Sequence, residues 1–189
     1  MVPMKDDRKL LVWLRHLLAI GQIPGDAIVL MCGVAGAGKT TAASFLQSKG
    51  FHRLSIDEQI WNDFGRYGID YPSGEYSRLQ RIAAASVEAQ LEALLPQRSP
   101  VVIDNSFWSQ DTRSHYKRLI ESHHRRWILL YLKADPAELR ARLRERRNRF
   151  DANAAFPVTD EILDTYLRSF QEPCGEGELV FPPAASLGS

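Results

Sequence analysis

Cysteine is scarce in this chain of 189 residues: Cys32 and Cys174 are the only two. There is no C-x-x-C pair and no His/Cys cluster at metal-ligand spacing. That argues against a structural zinc or a disulfide framework and points to reduced thiols in a cytoplasmic protein. A strong charge of either sign is also missing. The formal net charge of +1 gives no argument for a strongly basic nucleic-acid binder, although it leaves room for a local basic groove. No apolar run approaches the length of a membrane span, so no membrane association is expected. The stretch Leu10 to Ile20 is broken by Arg15 and His16, follows Asp6 and Asp7, and lacks a small-residue cleavage site, so it does not read as a signal peptide. Internal repeats and long low-complexity tracts are absent. What remains, with 44% hydrophobic residues, fits a single domain over residues 1–189 with a core of its own. The oligomeric state stays open.

What the chain does have is G-V-A-G-A-G-K-T, Gly33-Val34-Ala35-Gly36-Ala37-Gly38-Lys39-Thr40, followed by Thr41. It matches the phosphate-loop pattern G-x-x-x-x-G-K-[ST] at every fixed position. Gly33 and Gly38 permit backbone turns that a side chain would obstruct, and Gly36 and Ala37 keep the loop slim. Backbone N–H groups of such a loop, and the positive end of the helix after it, favour phosphate oxygens. In this reading Lys39 reaches the terminal phosphates of ATP and the Thr40 hydroxyl holds Mg2+. The context agrees: Ala27 to Met31 is a short apolar run suited to a buried parallel strand, and Thr41 to Lys49 is helix-compatible and ends at Gly50.

Strands and helices then alternate. Leu10, Leu14, Leu17 and Leu18 repeat at helical spacing and predict an amphipathic N-terminal helix within residues 1–25. Short strands are expected at His52 to Ser55, Val101 to Ile103, Trp127 to Leu132 and Leu179 to Phe181. Helices are expected over Glu75 to Leu95, from a Ser109 cap to about His124, from Asp135 onward, and over Thr159 to Phe170. In the first of these, Leu79, Ile82, Ala83, Val87, Leu91, Leu94 and Leu95 are expected along one side. Residues 182–189 read as a flexible tail. The alternation implies an α/β fold, a parallel sheet with helices on both faces, which binds ligands at the carboxyl ends of its strands.

Three strands end in polar groups on that edge: the glycine loop, Asp57, and Asp104-Asn105. Asp104 after an apolar strand fits a carboxylate that organises magnesium. Asp57 fits either a base that takes a hydroxyl proton or a cap for the helix after it. From Lys133 to Arg149, seven basic residues stand against three acidic ones. Arg142, Arg146 and Arg149 share one helical face. A lid over residues 140–158 that brings guanidinium groups to a moving phosphoryl group needs such chemistry, while Glu138–Arg142 and Glu145–Arg149 pairing offers a plainer account.

These residues resemble the P-loop kinases of the polynucleotide 5′-kinase type, with zeta-toxin-like and antibiotic phosphotransferase enzymes as more distant relatives. The likeness runs through the loop, Gly50 to Asp57, V-V-I-D-N-S at Val101 to Ser106, Arg113 and Tyr116 spaced R-x-x-Y, the arginine-rich segment, F-P-V-T-D, and Glu172 to Glu178. It implies a P-loop NTPase three-layer sandwich of adenylate-kinase-like form with an arginine-rich lid, ATP with Mg2+, Asp57 as general base, and lid contacts near Arg146 and Arg149. It also allows Arg113 to position phosphate or acceptor. One position departs from the pattern: where polynucleotide kinases carry an arginine that grips the nucleic-acid phosphate, this chain has Ile60. Trp61 and Arg66 follow in an aromatic and polar stretch, and Arg66 offers a substitute contact. The expected acceptor pocket is therefore Asp57, Trp61, Arg66, Asn105 and Arg113. The expected activity is ATP-dependent phosphorylation of a small-molecule hydroxyl. A nucleic-acid 5′ end, a regulatory ATPase and transfer to protein are its rivals.

Overall fold

The structure, a computed structural model, describes residues 5–146, 152 and 156–181. Helix α1 (Lys5–Ala19) leads into β1 (Ile28–Cys32), the glycine loop and α2 (Lys39–Gln47). Then follow β2 (His52–Ser55), α3 (Ile56–Phe64), α4 (Tyr76–Leu94), β3 (Val101–Asp104), α5 (Gln110–Ser122), β4 (Trp127–Leu132), α6 (Pro136–Arg146), α7 (Asp160–Ser169) and β5 (Glu178–Phe181). The strands form one parallel sheet in the order β2-β3-β1-β4-β5.

Period-two alternation along each strand splits the core into two layers. Ile28, Leu30 and Cys32 of β1 face Ile60 of α3, Leu79, Val87 and Leu91 of α4, and Ile120 of α5. Val29 and Met31 face Leu10, Leu14 and Leu17 of α1, Leu46 of α2, Leu139 and Leu143 of α6, and Leu163 of α7. All five β1 residues are buried, which is why this strand reads as an unbroken apolar run. The N-terminal helix thus belongs to the domain body, and Trp13 on it meets Phe181 of β5 with ring centroids 5.4 Å apart. In α4 the buried stripe is Leu79, Ala83, Val87 and Leu91. Ile82 does not belong to it. It is 43% exposed, because the residue just before Ala83 is turned about 100° off the seam.

The opposite, amino-terminal edge of the sheet is held by Arg125. Its guanidinium donates to three main-chain carbonyls, Leu95 O at 2.6 Å, Asp26 O at 2.6 Å and Ser99 O at 2.9 Å, from the segments leading into β1 and β3. An apolar replacement leaves those carbonyls without their donor in a buried place. Arg125→Met is expected to lower stability by about 2–4 kcal/mol, a fall of roughly 5–15 °C in melting temperature for a domain of this size. Thermal melting of the two proteins checks it.

Candidate active site

Strand β1 ends in the glycine loop at the carboxyl edge of the sheet. Gly33 (φ 146°) lies so close to β4 that a Cβ there would sit 2.7 Å from Leu132 O, so only glycine fits. Gly38 (φ 98°) turns the chain into α2. The Gly33 amide is spent on Ser106 O and the Ala37 amide on Val34 O. The amides of Ala35, Gly36 and Gly38 have no protein acceptor among the described residues, which leaves them for an anion. Lys39 folds over the loop and donates to Val34 O at 3.0 Å. Loss of hydration pulls its pKa down, with Asp104 and Asp57 opposing. An ammonium in that position is better served by phosphate oxygens than by one carbonyl. Thr41 follows Thr40 on α2 and is half-buried.

A cleft of about 660 Å3 opens over the loop. This volume falls within the range of roughly 300–1,000 Å3 for small-molecule sites. Its walls include Val34, Ala35, Lys39, Thr40, Asp57, Asp104, Asn105 and Arg146. The structure thus brings together on one cleft the residues that the sequence places at the strand ends. Asn105 also turns its Oδ1 back to accept the Ser106 amide at 2.7 Å. Cys32, just before the loop, is a buried thiol pushed up to about 12 by burial and hence unreactive.

Asp57 does not cap α3. Strand β2 stops at Ser55, and the Ser55 hydroxyl accepts the Glu58 amide at 3.3 Å. That leaves the Asp57 carboxylate in the first helical turn, aimed into the cleft. Loss of hydration between the cleft walls and the nearby Asp104 hold its pKa above the ordinary carboxylate range, with Arg146 and Lys39 pulling the other way. Beside Asp57 a narrow recess is lined by Ile60, Trp61, Tyr71, Tyr76 and Phe156, among others. Phe156 stacks on Tyr76 with centroids 4.5 Å apart and meets Tyr67 edge-on at 5.1 Å.

Two expected acceptor contacts are corrected. Arg66 stands outside the recess, on the surface, paired with Asp70 at 2.8 Å. Arg113 is 1% exposed and is not part of the cleft wall. It grips both carboxylate oxygens of Glu176 (2.9 and 2.5 Å) and donates to Phe107 O and Gln171 O. Lys117 adds a second cation to Glu176 at 3.2 Å. The E-P-x-x-E-G-E segment is therefore a latch that fastens the chain before β5 onto α5. The arginine-rich segment divides by role as well. Arg140 and Arg144 pair with Asp164 and Asp160 of α7. Arg142 pairs with Glu138 and donates to Gly36 O at 3.1 Å, pinning α6 to the back of the loop. Arg146 alone of these four lines the cleft. Residues 140–146 of the expected lid form the end of α6. Arg149, most of the remaining lid segment and the tail at 182–189 lie outside the described residues.

Arg53 escaped the sequence reading. It donates from Nη2 and Nε to Asp104 Oδ2 (2.7 and 3.3 Å) and from Nη1 to Glu58 Oε1 (2.7 Å). Both bonds to Asp104 fall on Oδ2, so Oδ1 is the oxygen left for a metal. A hydroxyl and a carboxylate are hard donors suited to magnesium, and Thr40 and Asp104 are the residues that would hold it. Among the described residues there is no cluster of three or more His, Cys, Asp or Glu able to cage a metal ion.

A strand, a glycine-rich loop and a helix, with a lysine folded over the loop and a carboxylate on the neighbouring strand end, define a P-loop NTPase. Residues 28–173 match the family described as an AAA domain, and the chain belongs to that family. No curated protein matches it by sequence. Solved structures similar to it include a gluconokinase from Sinorhizobium meliloti 1021, with 16% identity, a TM-score of 0.58, and coverage of 85% of this chain and 84% of that one. Kti12 from Chaetomium thermophilum in complex with ADP-AlF3 shares 14% identity at a TM-score of 0.58, over 82% and 88% of the two chains. A chain of the Pnkp1/Rnl/Hen1 RNA repair complex shares 20% identity at 0.55, over 77% of this chain and 46% of that one. The likenesses establish the P-loop kinase fold, and that fold with the family implies nucleotide binding. Among the described residues no helix is long and apolar enough to cross a membrane.

Proposed function

We propose that this protein transfers the γ-phosphate of ATP to a hydroxyl group of a small-molecule acceptor. The observation that carries the reading is the placement of Asp57: its carboxylate shares a cleft with Lys39 and Thr40 and heads a recess of its own. In the proposed reaction the loop amides and Lys39 hold the β- and γ-phosphates. The acceptor oxygen attacks the γ-phosphorus, its proton passes to Asp57, and the bond to the leaving ADP oxygen breaks. Arg146 offsets charge on the moving group. Thr40 and Asp104 would hold magnesium, which when bound would neutralise further charge at the phosphates.

Among the described residues, those lining the recess beside Asp57 include no lysine or arginine. Ile60 is core, Arg66 is occupied by Asp70, and Arg113 by Glu176. The described residues thus offer a polynucleotide 5′ end little at the recess to grip its phosphates, and this supports a compact acceptor over a nucleic acid. Gluconokinase and Pnkp1 among the similar structures keep both classes in the test. A second reading has its own support. The recess holds about 10 Å3, space for about one water, and a nucleotide-gated ATPase needs no more than a water there.

Incubation with γ-labelled ATP and panels of sugars, nucleosides, aminoglycosides and 5′-hydroxyl oligonucleotides decides among them. Label is expected on one class of small hydroxyl compound. Label on oligonucleotides alone, or release of free phosphate unaffected by any acceptor, would overturn the proposal.

A further inference from the structure

We infer that Arg53 is a positioning residue that sets the metal-side carboxylate Asp104 and the base-bearing helix α3 as one unit. The placement follows from the sheet. Arg53 and Ser55 point to the same side of β2, and Ser55 is in register with Asp104 on the parallel neighbour β3. A long side chain at 53 therefore runs up the strand to the Asp104 carboxylate. Its planar fork then reaches two carboxylates at once: Asp104 Oδ2 on one side and Glu58 Oε1 on the other, each at 2.7 Å. Glu58 is the residue after Asp57, so the same guanidinium that fixes Asp104 also fixes the first turn that aims Asp57.

Stability alone gives a poor account of this arrangement. The Arg53 side chain is 7% exposed and that of Asp104 5%, so both charges have lost most of their hydration. Buried ion pairs gain little net stability over well-packed apolar side chains. What the pair does provide is direction. It immobilises one carboxylate oxygen and leaves the other, and it places a positive charge between two carboxylates, Glu58 and Asp104, next to a site for a polyanion. Lysine cannot replace it, because an ammonium lacks the fork that spans two partners.

The inference rests on the magnesium-nucleotide part of the proposed function and is independent of the acceptor. The test is calorimetric binding of a non-hydrolysable ATP analogue, without acceptor, across a magnesium series. In Arg53→Met the metal concentration for half-maximal tightening is expected to rise tenfold or more, while metal-free analogue binding stays within threefold of wild type. Arg53→Lys is expected to shift the same midpoint three- to tenfold, with melting temperature recorded for both. A folded Arg53→Met with a wild-type metal midpoint overturns the inference, and so does equal loss of analogue affinity with and without metal. If Arg53→Met does not fold, Arg53→Lys decides by the same criterion. A magnesium effect that depends on Arg53 in a protein that phosphorylates nothing would sink the kinase reading and leave this one standing.

Discussion

Lys39→Ala is expected to reduce phosphoryl transfer by roughly a hundredfold or more, the scale of losing a preorganised electrostatic contact at a charge-bearing transition state. The structure adds a stability side to this expectation. Lys39 is drawn into the cleft with Val34 O as its hydrogen-bond partner, and its lowered pKa marks an ammonium that has given up hydration. A residue that held the loop together would cost stability when removed. A residue held ready for phosphate should leave melting unchanged, or raise it slightly, as an incompletely compensated charge disappears. Single-turnover transfer and thermal melting on the same preparation separate the two. Slow transfer with an unchanged melting temperature is the expected pair of results. Wild-type turnover would remove Lys39 from the centre of the site, and a large loss of stability would make it a structural residue.

The parts of this site that were legible in the sequence are local in origin. The glycine loop is contiguous, its strand is apolar because both faces of the sheet are covered, and Asp104 is the last residue of such a strand. The cap of α3 was legible too but was passed over: Ser55-Ile56-Asp57-Glu58 is an S-x-x-E pattern, and the hydroxyl three residues before Glu58 takes its amide. Recognising it frees Asp57 for the cleft. Arg66 pairs with a carboxylate four residues on, an i,i+4 relation that a count of neighbours would have found. Arg113 and Arg53 are different. Their partners, Glu176 and Asp104, are 63 and 51 residues away in sequence. Whether an arginine grips phosphate or a carboxylate of its own chain depends on which strands become neighbours, and β2 lies next to β3 only through the crossover α3–α4. The arginine-rich stretch has one sequence character, yet its described arginines go to three destinations: α7, the loop backbone at Gly36, and the cleft. Helical periodicity set Arg142 and Arg146 on one face but could not say that the first would be stopped by the loop while the second passes beyond it.

Asp57→Asn is expected to abolish transfer while leaving ATP affinity within a few fold of wild type. Asparagine keeps the size and the polar contacts of the side chain but cannot take the acceptor proton. It also removes a negative charge near Lys39, Arg146 and Asp104, so nucleotide binding should hold or tighten. Loss of ATP binding would move Asp57 to the metal site, and continued ATP hydrolysis at the wild-type rate would favour the regulatory ATPase. The pH profile supplies an independent check. A base must be ionised to act, and loss of hydration together with Asp104 raises the Asp57 pKa. Transfer should therefore decline on the acid side at a pH above the ordinary carboxylate range, with full activity at higher pH. Replacing Arg146 with methionine removes the cation that opposes this rise, and the acid limb should then move to still higher pH. A limb that stays where it is in the Arg146 variant would mean that some other group sets it, and Asp57 would lose its place as the proton acceptor.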